Sequence, residues 1–389
     1  MTRKTAAGID LGTSSVRVVV GENVEDKGKT FPAVVGTGYA PARGLRHGYI
    51  VNGEEAVESI RTALREAERA CGTKIRKVFL GVGGVGLEAV VGHGSMIISR
   101  GDSEVADVDL KKVHAECEHS LPAAATANRK IIHSIPLEYR IDGRQVLGRP
   151  AGMKGMKLEA RTLFVTCISQ HLEDLIRAVE EAGAEVEDVM ASPLAASLSS
   201  LTKTQKVAGC VLANIGAETV SIIVYENNLP ISIKVFPIGS TDVTNDIALG
   251  LKLPLEEAER AKLGAAGTYS RKKLDEIIAA RYSDMLELIE AHLTRIGKSG
   301  LLPAGILLSG GGAGNASIEQ LAKNHLKLPA KRASVDPANQ LKGKLRDASW
   351  GSAYGLTIWG LTAAEEPSEK PSVAGIFDAT WTWLKQFLP

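Results

Sequence analysis

The 389-residue sequence predicts an α/β protein of two related lobes facing one cleft, and three stretches carry that prediction. The first is residues 8–20, GIDLGTSSVRVVV. Ile9 and Leu11 lead into a turn, and Val16, Val18, Val19 and Val20 leave it as a β-branched run, so the stretch reads as strand, tight loop, strand. In and before the loop stand a carboxylate (Asp10), a glycine that lets backbone approach a ligand (Gly12) and three hydroxyls (Thr13, Ser14, Ser15). Such a turn can aim several N–H groups at a phosphate. Taken alone it suits an ordinary polar hairpin equally well. The second stretch, residues 213–224 (ANIGAETVSIIV), repeats the layout, with Asn214 in the place of Asp10, Gly216 of Gly12, Val220 of Val16 and Ile222 of Val18. The third, residues 305–322 (GILLSGGGAGNASIEQLA), is a short apolar strand, then Gly310, Gly311 and Gly312, then a helix. Three glycines at that junction allow the close approach that a nucleotide's base and sugar require.

The bulk properties narrow the field. A chain of this length needs two or more subdomains. Its apolar fraction of 44% and charged fraction of 23% are those of a globular protein, and a net charge of +1 excludes a broad nucleic-acid surface. The four cysteines (Cys71, Cys117, Cys167, Cys210) form no CxxC pair, so neither a zinc site nor a disulfide framework is expected, and the reducing cytosol is. Residues 1–7 are polar and run into a strand, so no signal peptide is expected, and no apolar run approaches the ~20 residues of a spanning helix.

In chain order, residues 31–48 are punctuated by Gly and Pro and read as strand plus loop. Residues 54–70 read as a helix with Val57, Ile60, Leu64 and Ala67 on one face and Gly72 as its stop. Residues 77–80 form a short strand. After it, Gly81, Gly83 and Gly86 match the dinucleotide fingerprint, but the following LEAVVGHGSMIIS has strand character and two more glycines. It reads as a hairpin rather than the helix the fingerprint must open, leaving a nicotinamide enzyme as a minor alternative. Residues 107–120 read as helix, 131–141 as extended, and 163–169 as a strand returning to the first lobe. Leu172, Leu175, Ile176 and Val179 set a helical face ending at Gly183. Residues 255–262 open a charged helix. Leu274, Ile277, Ile278, Tyr282, Met285, Ile289 and Leu293 then mark a long one, carrying Arg281, Arg295 and Lys298. Residues 362–374 have two prolines, mixed charge and no apolar period, and form a linker. Beyond it, residues 375–389 wind Ile376, Phe377, Trp381, Trp383, Leu384, Phe387 and Leu388 onto one face, with Asp378, Thr382, Lys385 and Gln386 opposite. A helix past a linker has no core for that face, so it is expected to lie in a membrane interface. Folding back onto the globular part is the alternative.

With these stretches the chain resembles the actin/Hsp70 ATPase superfamily, and within it the FtsA family of actin-like bacterial division proteins that tether the FtsZ ring to the membrane. Residues 44–66 (GLRHGYIVNGEEAVESIRTALREAE), 148–160 (GRPAGMKGMKLEA) and 244–262 (TNDIALGLKLPLEEAERAK) carry the likeness. It implies an actin-like, two-lobed, duplicated ATPase fold with an FtsA-type inserted subdomain. The first lobe takes 1–83 and 162–205, the insert 84–161, and the second lobe 206–238 and 303–361, with an outer subdomain at 239–302. Residues 192–201 and 347–360 resemble the two connecting helices. The likeness also implies ATP and Mg²⁺ as ligands. The nucleotide would be held by Gly12, Thr13, Ser14, Ser15, Asn214, Gly216, Ala217, Glu218, Thr219, Glu259, Lys262, Gly310, Gly311, Gly312 and Ala313. Glu259 and Lys262 stand in the Hsp70-type ribose and adenine segment, where Arg260 suits a solvated face better. The implied role is a peripheral membrane protein that polymerises through the insert on the cytoplasmic face at the septum. It would bind the FtsZ C-terminal peptide near Arg281, Arg295 and Lys298, a basic rim beside an apolar groove, together with other divisome proteins and no nucleic acid.

The chain departs from the family pattern at the acids. Mg²⁺ keeps several waters and needs carboxylates around it. Asp10 remains, to meet the metal through water and to serve as the one catalytic candidate. Asn214 and Ser221 stand where the echo loop commonly has Asp, Glu218 replaces a glycine, and Ser192 sits where a Glu is usual. ATP binding therefore carries over better than hydrolysis, which is expected to be weak or absent. The other readings are a PilM-type adaptor of a pilus or secretion machine, which needs no lipid anchor of its own, and a sugar kinase, for which no substrate base is identifiable.

Overall fold

The computed structural model describes residues 5–26, 29–315, 317–335, 345 and 347–363. The first stretch folds as expected. Strand β1 (Thr5–Leu11) turns at residues 12–14 into β2 (Ser15–Asp26), antiparallel, with Asp10 opposite Arg17 and Leu11 opposite Val16. Strand β3 (Lys29–Pro41) adds to β2 with Tyr39 opposite Arg17. Alternation sends Val16, Val18 and Val20 to one side of this meander and Ser15, Arg17 and Val19 to the other. A small hairpin of β4 (Leu45–Arg46) and β5 (Tyr49–Ile50) follows, turning at His47 and Gly48, both left-handed (φ 48° and 86°). Helix α1 (Gly53–Cys71) is capped by Asn52, which accepts the Glu55 N–H, and stops at left-handed Gly72, as its sequence predicts.

Strand β6 (Lys77–Val82) then runs parallel to β1. The stretch after it is not a hairpin. Residues 88–97 form one straight strand, β7 (Glu88–Ile97), and the reason lies in helix α2 (Asp107–His119). A Cβ at Gly92 or Gly94 would run into the Cys117 or Val113 carbonyl, so these glycines let a helix lie flat on the strand and make no turn. After α3 (Ala123–Thr126) come β8 (Arg129–Ile141), β9 (Arg144–Val146) and β10 (Lys157–Ile168). The strand expected to start near residue 163 is the second half of β10. It runs unbroken from Lys157, pairs with β7 and β8, and is irregular at Arg161/Thr162.

The chain continues through α4 (Ser169–Ala182), β11 (Glu185–Ala191), α5 (Ser192–Ser200) and α6 (Lys203–Ala208) into the echo. Strands β12 (Cys210–Ile215), β13 (Val220–Glu226) and β14 (Leu229–Phe236) form a second antiparallel meander. Helices α7 (Ser240–Leu251), α8 (Leu255–Lys262) and α9 (Arg271–Arg295) follow; Lys298, expected on the long helix, lies past its end. Then come β15 (Ile306–Ser309), a 3-10 turn (Gly311–Gly314), α10 (Ile318–Leu326), β16 (Ala330–Arg332), a second 3-10 turn (Ala348–Trp350) and α11 (Gly351–Ala363).

The duplication is legible in the sheets. One has the order β11-β6-β1-β2-β3, and β15 lies parallel to β12 as β6 does to β1. The second sheet runs β16-β15-β12-β13-β14-β7-β10-β8-β9, so the strands of the second lobe continue into those of the insert through one pairing, Lys234 with Glu88. One apolar core holds Ile9, Val18, Ile60 and Leu80 of the first lobe and runs on to Ile135 of the insert and Ile223 of the second lobe, while Ile222, Ile247, Leu286 and Leu308 form a second core in the second lobe and Leu110, Val113, Leu158 and Phe164 a third in the insert. Helices α5 and α11 pack on each other, α11 also against β1, β2 and β6 and α5 also against β12 and β13. A Cβ at Gly355 would strike the Ala195 carbonyl, so the crossing admits no larger residue there.

Candidate functional site

Between the lobes lies a cleft of about 600 Å³, and the residues that form it come from all three glycine-bearing stretches. The first loop closes on itself as Gly12 donates its N–H to the Ser15 carbonyl (3.1 Å), and the echo loop does the same from Gly216 to Thr219 (2.8 Å). The ladders end at Leu11↔Val16 and Ile215↔Val220, so the amides of Thr13 and Ser14, and of Ala217 and Glu218, fall outside them. Such amides are the groups that a phosphate would take. The glycine turn packs directly behind the echo loop. Gly310 is left-handed (φ 86°), and a Cβ there would meet Asn214 and the Ile215 carbonyl.

At the floor of the cleft, Asp10 accepts a hydrogen bond from Ser192 Oγ (3.3 Å). Burial pushes its carboxyl pKa up, against the opposing pull of Arg17 and the Ser192 hydrogen bond. On the other side, Lys262 Nζ donates to the Ser240 carbonyl (3.0 Å) and Thr244 Oγ1 (2.8 Å) and pairs with Glu259 (2.7 Å). These bonds fix α8 against the start of α7, whose Ser240 and Thr241 N–H groups bond the carbonyls of Gly216 and Ala217. From α9, Tyr282 Oη donates to the Gly312 carbonyl (2.6 Å) and holds the glycine turn from behind. Two opposed loops with amides outside the ladders, a glycine turn and a Lys–Glu pair at one end suit a nucleotide's phosphates, sugar and base. Among the described residues no group of three or more His, Cys, Asp or Glu is arranged to hold a metal ion.

Residues 211–355 match the family model for cell division protein FtsA, and residues 84–166 match that of the SHS2 domain inserted in FtsA. The cell division protein FtsA of Pseudomonas aeruginosa is 32% identical over 381 residues, covering 92% of this chain and 89% of that protein. The chain belongs to the FtsA family. Two solved structures share the fold of this FtsA-family chain. One is a PilM–PilN type IV pilus biogenesis complex (TM-score 0.69, 18% identity, 94% of this chain and 100% of that one). The other is MreB5 of Spiroplasma citri bound to ADP (TM-score 0.52, 14% identity, 92% and 96%). At those identities the likeness is one of fold alone, an actin-like one.

Most residues expected at the FtsA nucleotide site line the cleft: Asp10, Gly12, Thr13, Ser14, Asn214, Gly216, Ala217, Thr219, Glu259, Lys262 and Gly310 to Gly312. Ser15, Glu218 and Ala313 do not. Ser15 and Ala313 are buried behind the loops. Glu218 turns across the cleft to the β4–β5 hairpin, where its carboxylate accepts the His47 N–H (2.6 Å). Its carbonyl lies 3.2 Å from His47 Nδ1, which must carry the proton because a carbonyl only accepts. Arg260 lies away from the cleft, beside a neighbouring hollow it lines with Asn245 and Leu255. The expected basic rim is spent on partners: Arg281 grips Asp246 with two nitrogens (2.6 and 3.0 Å), Lys298 pairs with Glu226 (2.5 Å), and Arg295 bonds the His292 ring (2.9 Å). The membrane-face residues 376–388 lie outside the described residues. Sequence reasoning missed Arg17, Ser349 and Gly48 as cleft residues, and it dismissed Gly83, which with Gly84 lines the cleft beside Ser192 and Gly48. Only the register opposite Asp10 could have pointed to Arg17.

Proposed function

We propose that the chain binds ATP in this cleft and acts as an FtsA-type scaffold. It polymerises on the cytoplasmic face of the membrane at the septum and ties FtsZ to it through the FtsZ C-terminal peptide. The observation that best supports nucleotide binding is the repeated loop geometry, with Gly12 and Gly216 making the same closing bond on opposite walls of one cleft. In this reading the loop amides and the hydroxyls of Thr13, Ser14 and Thr219 bind phosphate, and Glu259 and Lys262 meet the ribose and base. Gly310 to Gly312 leave room for both. Mg²⁺ would neutralise the phosphates, with Asp10 as the one carboxylate reaching its waters. With Asn214 and Ser192 supplying no charge, the attacking water has no second acid to position it, and turnover is slow. Self-association is assigned to the insert, and peptide binding to the second lobe.

Binding of a fluorescent ATP analogue tests the cleft. Asp10→Ala combined with Gly311→Asp is expected to abolish it, and unchanged affinity in that folded double variant would sink the assignment. Steady-state phosphate release by the wild type should stay well below the ~1 s⁻¹ of an efficient phosphoryl-transfer enzyme. Reaching that rate would show the argument from missing acids to be wrong.

A further inference from the structure

Two consecutive residues of α9 hold the two parts of the second lobe that face the cleft. Tyr282, 3% exposed, donates its hydroxyl to the Gly312 carbonyl (2.6 Å). Arg281 grips both carboxylate oxygens of Asp246 on α7 (2.6 and 3.0 Å) and also meets Asp284 one turn on (3.1 Å). Helix α9 packs against α7, which follows the echo meander, and against α10, which follows the glycine turn. Its approach to α7 is close, since a Cβ at Gly250 would run into the Ile277 side chain.

What each bond holds gives it a task. Gly310 to Gly312 have no side chains with which to anchor the glycine turn, and a Cβ at Gly312 would meet Ile215, the residue that leads into the echo loop. The Ala313 N–H closes the turn on the Gly310 carbonyl (3.1 Å), and it belongs to the same peptide whose carbonyl takes the Tyr282 hydroxyl. A buried carbonyl deprived of its donor turns toward water, and the turn moves with it. On the other side, Ser240 and Thr241 at the start of α7 donate to the Gly216 and Ala217 carbonyls of the echo loop (2.9 and 2.8 Å). Helix α7 therefore passes its own position to the amides of that loop, and the Arg281 fork fixes α7 in direction as well as distance. Resting on the ATP reading above, we propose that Arg281 and Tyr282 are positioning residues of the nucleotide site. Together they set the gap between the glycine turn and the echo loop, and ATP binds at the width that α9 imposes. Arg281, expected from the sequence at a peptide surface, has its task within the second lobe.

Calorimetric titration of the full chain with ATP and with ADP, read beside the melting temperature of the ligand-free protein, tests this. Tyr282→Phe removes one oxygen and should weaken ATP ~5-fold or more, because the Gly312 carbonyl finds water in the free protein and binding must bury it again. ADP should lose as much, since the turn meets the sugar and base that both nucleotides carry. Arg281→Met should also weaken ATP ~5-fold or more, and adding Asp246→Asn should cost nothing further, as befits two halves of one contact. Should Arg281→Met fail to fold, Arg281→Lys keeps the charge without the fork and should weaken ATP in the same direction. Unchanged ATP affinity in Tyr282→Phe or in the Arg281 variant, with or without a lower melting temperature, would leave that contact a structural role only and overturn the proposal. So would additive losses from Arg281→Met and Asp246→Asn, or a Tyr282→Phe loss confined to ATP. A wild type that binds neither nucleotide would instead overturn the ATP reading itself, and the positioning with it.

Discussion

His133 shows how much a single buried ring can decide. Its Nε2 accepts the Ala191 N–H (3.0 Å) just ahead of α5, so the folded protein holds the ring neutral, and burial lowers its pKa to about 4. His114 and His292 are lowered to about 4 as well, His114 by burial, and His292 by burial first and then by Arg295 and Lys234. The folded values lie below the ordinary 6.5, so between 6.5 and about 4 the unfolded chain binds protons that the folded chain refuses. Their contribution to stability is complete above 6.5 and falls as the pH drops, by about 1.4 kcal/mol per pH unit for each ring. Asp188, raised to about 6 mainly by burial, works against this below that pH because the folded chain holds its proton. His133→Gln offers the same acceptor without a titration. Its urea midpoint should fall less than that of the wild type between about pH 7 and about pH 5. Equal falls would clear this ring of responsibility. None of this was readable beforehand, because a lone histidine in a strand says nothing about what will cover it.

Among the elements, the hairpin β4–β5 is small and consequential. Its turn reaches over the cleft and takes the Glu218 carboxylate on the His47 N–H, joining the first lobe to the echo loop. Glu218 thereby serves as a strut between lobes at a position where phosphate binding needs only backbone. Removing it frees the lobes at that edge, so Glu218→Ala should speed ATP dissociation ~10-fold in stopped-flow displacement, the low end for a charged hydrogen bond. Dissociation at the wild-type rate would mean that other contacts hold the cleft shut. Local patterns were legible wherever local physics sets them: the period of α1 and its Asn52 and Gly72 ends, the two loops, and the small residues where α5 meets α11. Reading failed where a distant partner decides. Gly92 and Gly94 look like turn residues until α2 is seen lying on them. Glu218 looks like an obstacle to phosphate until His47 is seen to engage it.

For the molecule as a whole, the two-lobed duplication was visible in the sequence because each lobe repeats strand, loop and strand. The joining of the second lobe's sheet to the insert was not, since Lys234 and Glu88 meet only in space. The anchor expected at residues 375–389 can be tested at this scale. Deleting it should release the protein from liposomes without loss of ATP binding, and binding of the intact chain should rise steeply with concentration, as linked weak anchors do, with little response to salt. Retention after the deletion, or strong loss with salt, would put the membrane contact on another surface. The joined sheet has a consequence for how such an assembly could sense its ligand. The insert is tethered by the chain to the first lobe and by the Lys234–Glu88 pairing, with a 3.4 Å side-chain contact, to the second. Because that pairing and a shared apolar core through Ile135 and Ile223 join the insert to both lobes, a swing of one lobe against the other would load the seam at Lys234 and Glu88, from which the same sheet runs on to the edge strand β9.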